Sequence, residues 1–199
     1  MDSKPDRRCA VIGRMHISLV GARELLTVEK VLIIDDATVA DLKSWLPETE
    51  RHKQHSIRNF RCRVRERDTL PRGLWFRAIV WQRYQETSII QLDIELPDVK
   101  GHQVLYRLEV KPHSTHINGN ECGEEFGGHF FDVGVTHEHS YLHDARDGAT
   151  VVTKGVSPCA IPIGTAFRNF EESLQFACDR MNITDWRNVP PPPLQLDLV

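Results

Sequence analysis

Between Phe60 and Arg65 the chain alternates strictly between core-forming and charged side chains, and Arg67 continues the charged positions. Because successive side chains of a β-strand point to opposite sides, this period of two predicts a strand with one buried face. Phe60, Cys62 and Val64 would line a hydrophobic core. The opposite side would carry Arg61, Arg63, Arg65 and Arg67.

The segments around this strand predict an antiparallel sheet. Runs rich in β-prone residues at 74–84, 88–96 and 103–110 are joined by short polar or glycine-containing connections, as in a meander. Further strands are predicted at 10–20, 28–34 and 150–153, and residues 157–164, with two prolines, read as a connector.

Two helices are predicted beside the sheet. One follows Asp35 and Asp36 and ends at Pro47, and the other begins at the capping residue Asn169 and ends at Asn182. We therefore expect an α+β fold, a central antiparallel sheet with two flanking helices. It would form a single domain over residues 1–188, followed by a proline-rich tail over 189–199.

The charge distribution limits where an anionic partner could bind. The net charge is −3, which gives the whole chain no attraction for nucleic acid, yet arginine and lysine dominate residues 51–77. Arginines two apart on a strand lie about 6.6 Å from one another, comparable to the spacing of phosphates, so Arg61, Arg63, Arg65 and Arg67 are candidates for nucleic-acid binding. The alternative is cross-strand pairing of these arginines with Asp93 and Glu95.

The cysteines and apolar runs favour a soluble protein of the cytoplasm. The five cysteines are odd in number, widely spaced and without a C-x-x-C pair, which argues against a disulfide framework and against a cysteine zinc site. No apolar run is long enough to span a membrane, so no membrane partner is expected. The proline tail is a candidate contact for a protein partner.

The stretch from His113 to Asp144 holds six of the ten histidines together with interleaved acids and glycines. Imidazole has an unperturbed pKa near neutrality and binds metals when neutral. Arg107 and Glu109 share one face of the preceding strand and are expected to point toward this stretch. The catalytic candidates are therefore His113, His116, His129, Glu109 and Arg107.

A metal site is a second interpretation of the same stretch. His137 and His139 would put both rings on one side of a strand, and His143 has the same parity. Zinc or manganese is the divalent metal expected there, in a catalytic or a structural role.

Short motifs in the middle and C-terminal parts resemble an uncharacterised bacterial domain family of unknown function. They comprise Arg107-Leu108-Glu109, then His116, Asn118 and Gly119, then Gly128-His129-Phe130, and a helix with Phe167, Asn169, Cys178, Asn182 and Ile183. This chain departs from the family pattern at Glu109, which replaces Asp, and at Phe131, which replaces a second histidine. The resemblance supports the fold grouping and the choice of site more than any reaction.

The leading functional hypothesis is a histidine-dependent hydrolase of phosphodiesters, a small nuclease of the toxin or phage-defence kind, in which two imidazoles transfer protons. A minor variant of this hypothesis is that the tripeptides at His16 and His113, both of the form H-x-[ST], resemble the paired motifs of two-histidine phosphoesterases. The alternatives are a metal-binding hydrolase that uses His137 and His139, and a non-catalytic interaction subunit of a bacterial defence or toxin assembly.

Overall fold

The computed structural model describes residues 19–34, 45, 57–66, 73–81, 84–95, 102–141 and 159–193, and its centre is a seven-stranded antiparallel sheet. The strands, in sheet order, are β1 (Lys30–Ile33), β2 (Ile57–Glu66), β3 (Leu74–Trp81), β4 (Tyr84–Glu95), β5 (His102–Val110), β8 (His137–Ser140) and β9 (Ala160–Pro162). A small second sheet pairs β6 (His116–Ile117) with β7 (Phe130–Phe131).

Three α-helices accompany the sheets in the described part of the chain. They are α1 (Leu19–Thr27), the short α2 (Gly123–Phe126) and α3 (Phe170–Met181), with two short 3-10 turns at Asn120–Cys122 and Trp186–Asn188. The predicted α+β class with a central antiparallel sheet is confirmed. No helix among these residues is long and apolar enough to cross a bilayer.

One face of the sheet forms the hydrophobic core with α3. Phe60, Cys62 and Val64 are fully buried, as the alternation predicts, and Phe76, Ala78, Ile90, Leu92 and Leu108 continue this face across the neighbouring strands. Leu174, Ala177, Cys178 and Met181 recur at helical spacing and supply the apolar side of α3. Side-chain alternation therefore leaves Arg61, Arg63 and Arg65 on the second face of the sheet, opposite the core.

Helix α3 begins and ends where the sequence predicts. The Asn169 side chain accepts a hydrogen bond from the backbone N–H of Glu172 at 2.9 Å, and Asn182 adopts a left-handed conformation with φ of 52°. The Glu172 carboxylate accepts from the backbone N–H of Arg168, one residue before the capping position. The predicted capping arrangement is therefore present, shifted by one residue at its second bond.

Two segments differ from the sequence predictions. Leu19 and Val20 belong to α1, so the end of the strand predicted at 10–20 is wrong, and the residues before them lie outside the described ones. Residues Ala160–Pro162 pair with β8 as a strand inside the predicted connector. An edge strand tolerates proline because its outer N–H positions need no partner. The strand predicted at 150–153 lies outside the described residues, and so does the helix predicted after Asp36 apart from Trp45, which is not helical.

Lys30 is a fully buried cation that joins the ends of two helices. Its ammonium donates to the carbonyl of Val28, just past α1, at 2.6 Å and to the carbonyl of Met181, the last residue of α3, at 2.7 Å. Cations are favourable near helix C-termini because the final carbonyls have no intrahelical partner. Burial nevertheless lowers the pKa of Lys30 from 10.5 to about 8.

We expect the depressed pKa of Lys30 to make its own contribution to stability rise with pH, against the opposite effect of the buried Cys62 thiol, whose pKa burial raises to about 12. Below pH 8 the folded chain carries the full cost of the buried charge. Between pH 8 and 10.5 the unfolded chain binds more protons at this lysine than the folded one, so the contribution of Lys30 to the free energy of unfolding increases by about 3 kcal/mol. Urea unfolding at pH 7.5 and pH 10.5 measures the change, with Lys30→Met as the control that lacks it. An equal change in the variant would contradict the assignment.

Candidate metal centre

The pairing of β5 with β8 brings three candidate ligands together on the second face of the sheet. In this antiparallel pair Glu109 lies opposite His137, and Arg107 lies opposite His139. One ligand atom from each of Glu109, His137 and His139 lies within 4.8 Å of the others. All three side chains are largely buried, with exposed fractions of 12%, 1% and 2%.

The separations within this cluster suit an ion better than direct hydrogen bonds. The Nε2 atoms of His137 and His139 lie 3.9 and 3.6 Å from the two carboxylate oxygens of Glu109. A hydrogen bond between such atoms spans 2.7–3.2 Å. Two ligands that are each about 2.1 Å from a tetrahedral zinc ion lie about 3.4 Å apart. The observed spacing is therefore close to that of zinc ligands.

The tautomer of His137 leaves its ligating nitrogen available. Its Nδ1–H donates to the carbonyl of Val135 at 2.8 Å, so the lone pair of the neutral ring resides on Nε2. That Nε2 atom is buried and has no hydrogen-bond partner among the residues that the structure describes. Burial lowers the pKa of His137, which favours the neutral form that binds metal. The donor set therefore fits a divalent metal.

Arg107 fixes the carboxylate of Glu109 from the side. Its Nη2 donates to Oε1 of Glu109 at 2.7 Å, the same oxygen that lies toward His139. Bonds of this kind orient metal-binding carboxylates and are charge-assisted. Arg107 is half-buried at 21% exposure, so its guanidinium also borders any ligand that enters the cluster.

His116 lies directly against the two histidines of β8. Its ring centroid is 5.6 Å from that of His137, in a stacked arrangement, and 5.1 Å from that of His139, edge to face. Its Nε2 lies 2.9 Å from Oδ1 of Asn118. An amide oxygen only accepts, so Nε2 of His116 carries the hydrogen and Nδ1 carries the lone pair in the neutral ring.

Asn118 is the buried residue that holds the histidine loop against β9. Its amide accepts from the backbone N–H of Ala160 and donates to the carbonyl of Ala160, both at 2.8 Å, and it also donates to the carbonyl of Phe126. These bonds fix which end of the amide is oxygen. The sequence suggested Asn118 only through the resemblance, since a buried amide has no periodic signature.

A disulfide between Cys122 and Cys159 closes the same loop onto the strand, with the two Cα atoms 5.4 Å apart. The sequence argued against a disulfide framework and did not predict this one bridge. The partners are 37 residues apart in sequence, and only the fold brings them together. Cys62 and Cys178 are unpaired and buried in the core. The prediction of a cytoplasmic location loses the support that it drew from unpaired cysteines.

The remaining predicted site residues lie in several places. The ring centroid of His113 lies 5.9 Å from that of Trp81. His129 is exposed, and its ring centroid lies 6.3 Å from that of Phe131. Phe131 in turn packs on His137, with ring centroids 4.9 Å apart. In the contacts described, His129 is therefore linked to the candidate ligands only indirectly, through the ring of Phe131. Arg67 and His143 lie outside the described residues, and Glu109 is the third candidate ligand beside His137 and His139.

Arg61, Arg63 and Arg65, which were predicted to bind nucleic acid, lie on the second face of the sheet and differ in their contacts. Arg61 pairs with Glu95 at 3.2 Å and its guanidinium lies 3.9 Å over the Trp75 ring, while that of Arg63 lies 5.6 Å from the same ring. Arg65 is exposed near the edge of the sheet, opposite Val31. The cross-strand alternative is thus present for Arg61, whereas nucleic-acid binding stays a prediction.

Comparisons of the chain with protein-family models, with curated proteins and with solved structures found no match. The resemblance to the uncharacterised bacterial family therefore stays a prediction. The chemistry of this site has to be inferred from its own residues.

We expect the disulfide to stabilise the folded chain by closing a long loop. Loop-closure entropy for a separation of 37 residues corresponds to about 3–4 kcal/mol in the free energy of unfolding. Urea unfolding with and without a phosphine reductant measures the loss. The double variant Cys122→Ser, Cys159→Ser is the control, because the reductant should leave its unfolding midpoint unchanged. A wild-type midpoint unaffected by the reductant would contradict the pairing.

Proposed function

We propose that the chain is a metal-dependent hydrolase of phosphodiesters whose divalent ion is held by Glu109, His137 and His139. The observation that carries this proposal is the buried Nε2 of His137, which has no hydrogen-bond partner among the described residues and lies 3.9 Å from a carboxylate oxygen of Glu109. A buried polar atom without a partner costs about 1–3 kcal/mol, so its retention needs a reason. An ion at this point provides one.

The number and type of ligands favour a catalytic role for the ion over a structural one. Structural zinc sites are generally closed by four protein ligands, whereas catalytic sites use three, among them the two-histidine, one-glutamate set, and keep a position open. Only Glu109, His137 and His139 form such a group among the described residues. Zinc is favoured over manganese because nitrogen ligands at near-tetrahedral spacing suit it better.

The substrate class follows from Arg107. A half-buried guanidinium beside the cluster recognises an anionic group with two or more oxygens, and a phosphodiester has such a group next to the bond to be broken. When bound, the metal supplies Lewis-acid activation of the phosphoryl group and of water. In the reaction the water oxygen bonds to phosphorus, the ester P–O bond breaks, and the leaving oxygen takes up a proton.

His116 is the residue we propose for proton transfer. Asn118 orients its ring, and with Nε2–H donated to the amide, the lone pair on Nδ1 can take the proton that the attacking water releases. The sequence prediction of His116, Glu109 and Arg107 as site residues is kept in this proposal, with Glu109 as a ligand. The catalytic roles predicted for His113 and His129 have no counterpart in it.

We expect the purified, chelator-treated protein to bind one equivalent of Zn²⁺ per chain. His137→Ala should weaken binding by more than about 100-fold, because loss of even an outer partner of a ligand weakens metal affinity by about 10- to 100-fold. Competition with a chromophoric chelator measures the affinity. His129→Ala is the matched control, since its exposed ring lies away from the ligand atoms and should leave binding unchanged. If the His137→Ala variant bound Zn²⁺ as tightly as the wild type, the proposed metal centre would be contradicted.

We expect the zinc-loaded protein to hydrolyse bis(p-nitrophenyl) phosphate, with loss of p-nitrophenolate release on treatment with a chelator and its return with Zn²⁺. His116→Ala should lower the rate by about 100-fold or more while metal content is retained, as loss of positioned proton transfer does. Activity that survives the chelator but is lost in His113→Ala or His129→Ala would favour the metal-free, two-imidazole mechanism instead.

A further inference from the structure

A row of long polar side chains crosses the second face of the sheet and ends at the metal centre. The strand registers place Arg61 opposite Arg77, Arg77 opposite Gln91, Gln91 opposite Arg107, and Arg107 opposite His139. Directly opposed residues point to the same side of a sheet. The row therefore runs perpendicular to the strands. Neighbouring strands are about 4.8 Å apart, so Arg61 lies about 19 Å from His139.

The charge along this face is positive among the described residues. Arg61, Arg63, Arg65, Arg77 and Arg107 share it with three carboxylates, Asp93, Glu95 and Glu109. The Arg61–Glu95 pair is well exposed at both ends, and exposed ion pairs of this kind contribute little. Burial raises the pKa of Asp93, which opposes its negative charge.

Two buried N–H donors on this face have no acceptor among the described residues. One is Nε1 of Trp75, under the guanidinium of Arg61, and the other is Nε of Arg107, beside the metal centre. Together with Nε2 of His137 they are buried nitrogens without hydrogen bonds, and all three lie on one face of one sheet. Two unmet donors at opposite ends of a basic row indicate a ligand rich in acceptor oxygens.

We propose that the substrate is a single-stranded nucleic acid that lies across the strands along this row and places one phosphodiester at the metal centre. This inference rests on the proposed hydrolase function and names its substrate class. Phosphate oxygens would accept from Arg61, Arg77 and Arg107, the last being the arginine next to the ion. The Trp75 ring, already stacked with Arg61, adds the aromatic surface that single-strand binding sites combine with arginine.

The depth of the metal centre favours a single strand over a duplex. His137 and His139 are 1% and 2% exposed, and Glu109 is 12% exposed. A phosphodiester has to enter this recess to reach the ligand atoms. A flexible single strand can turn one phosphate inward, whereas bending a duplex over such a short length takes several kcal/mol.

The row differs from the track predicted from the sequence, which follows β2 through Arg61, Arg63, Arg65 and Arg67. Arg65 lies on the same strand and the same face as Arg61, but it is opposite Val31 on β1 and so lies away from the row. Arg65 therefore distinguishes the two models, because it belongs to the track along β2 but not to the row across the strands. It offers a control of identical charge, a few residues from the test position.

The experiment is fluorescence anisotropy of labelled oligonucleotides of ten deoxythymidines or ten uridines with the full chain in the presence of a chelator. We expect binding that is stronger than to a duplex of equal length and weakens with salt. Arg61→Gln and Arg77→Gln should each weaken binding about tenfold and reduce the logarithmic salt slope by about 0.7, as for one lost phosphate contact. Arg65→Gln should bind as the wild type does.

Equal weakening by Arg65→Gln would overturn the row in favour of the track along β2 or of nonspecific attraction. Absence of wild-type binding, or tighter binding of the duplex, would also overturn the proposal. Because the Arg61 side chain is partly exposed, the Arg61→Gln variant is expected to fold. It therefore tests the row even if the Arg77→Gln variant unfolds. Because no metal is present, these outcomes are separate from the zinc measurement. If the protein binds the oligonucleotide but not zinc, only the hydrolase proposal is contradicted. If it binds zinc but not the oligonucleotide, only the proposed row is contradicted.

Discussion

The antiparallel pairing of β5 with β8 is the constraint on which the functional site depends. This single ladder sets Glu109 against His137 and Arg107 against His139, so that residues about thirty positions apart in the chain meet with their side chains on one side. A shift of the register by one residue would turn every one of these side chains to the opposite face of its strand. The core face prevents such a shift, because Tyr106 and Leu108 are buried there.

The core face of β8 carries a polar anchor of its own. Glu138, between the two candidate ligands, points to the opposite side, where it accepts a hydrogen bond from the Tyr106 hydroxyl at 2.7 Å and lies 3.6 Å from Arg180 of α3. The same four-residue strand thus contacts the helix on one side and carries two candidate metal ligands on the other. Buried polar contacts of this kind hold a register because they stay satisfied in only one arrangement.

Much of the sheet could be predicted from the sequence, because strand alternation is local information. The buried positions Phe60, Cys62 and Val64 and the caps Asn169 and Asn182 follow from patterns within a few residues. The direction of Arg107 and Glu109 toward the histidines followed in the same way. The parity of His137 and His139 identified two candidate ligands, and the same argument applied to β5 pointed to Glu109, though as an orienting group.

What the sequence could not supply are the contacts that close long loops. The Cys122–Cys159 bridge and the bonds of Asn118 to Ala160 join segments about forty residues apart, and no periodicity marks either partner. Short β9 was missed because prolines flank and end it, a composition typical of connectors. The cross-strand order of Arg61, Arg77 and Arg107 likewise depends on three separate registers, each of which needs the folded sheet.

The last strand of the sheet has a further consequence for association. β9 ends at Pro162, directly opposite His137, and proline has no backbone N–H to offer to an incoming strand. Among the described strands β9 is the outermost on the side of the candidate metal ligands, and a proline there hinders pairing with another strand, which is one way in which natural sheets limit edge-to-edge aggregation. A residue that looks like a chain breaker in the sequence thus opposes edge-to-edge pairing at this margin of the described sheet.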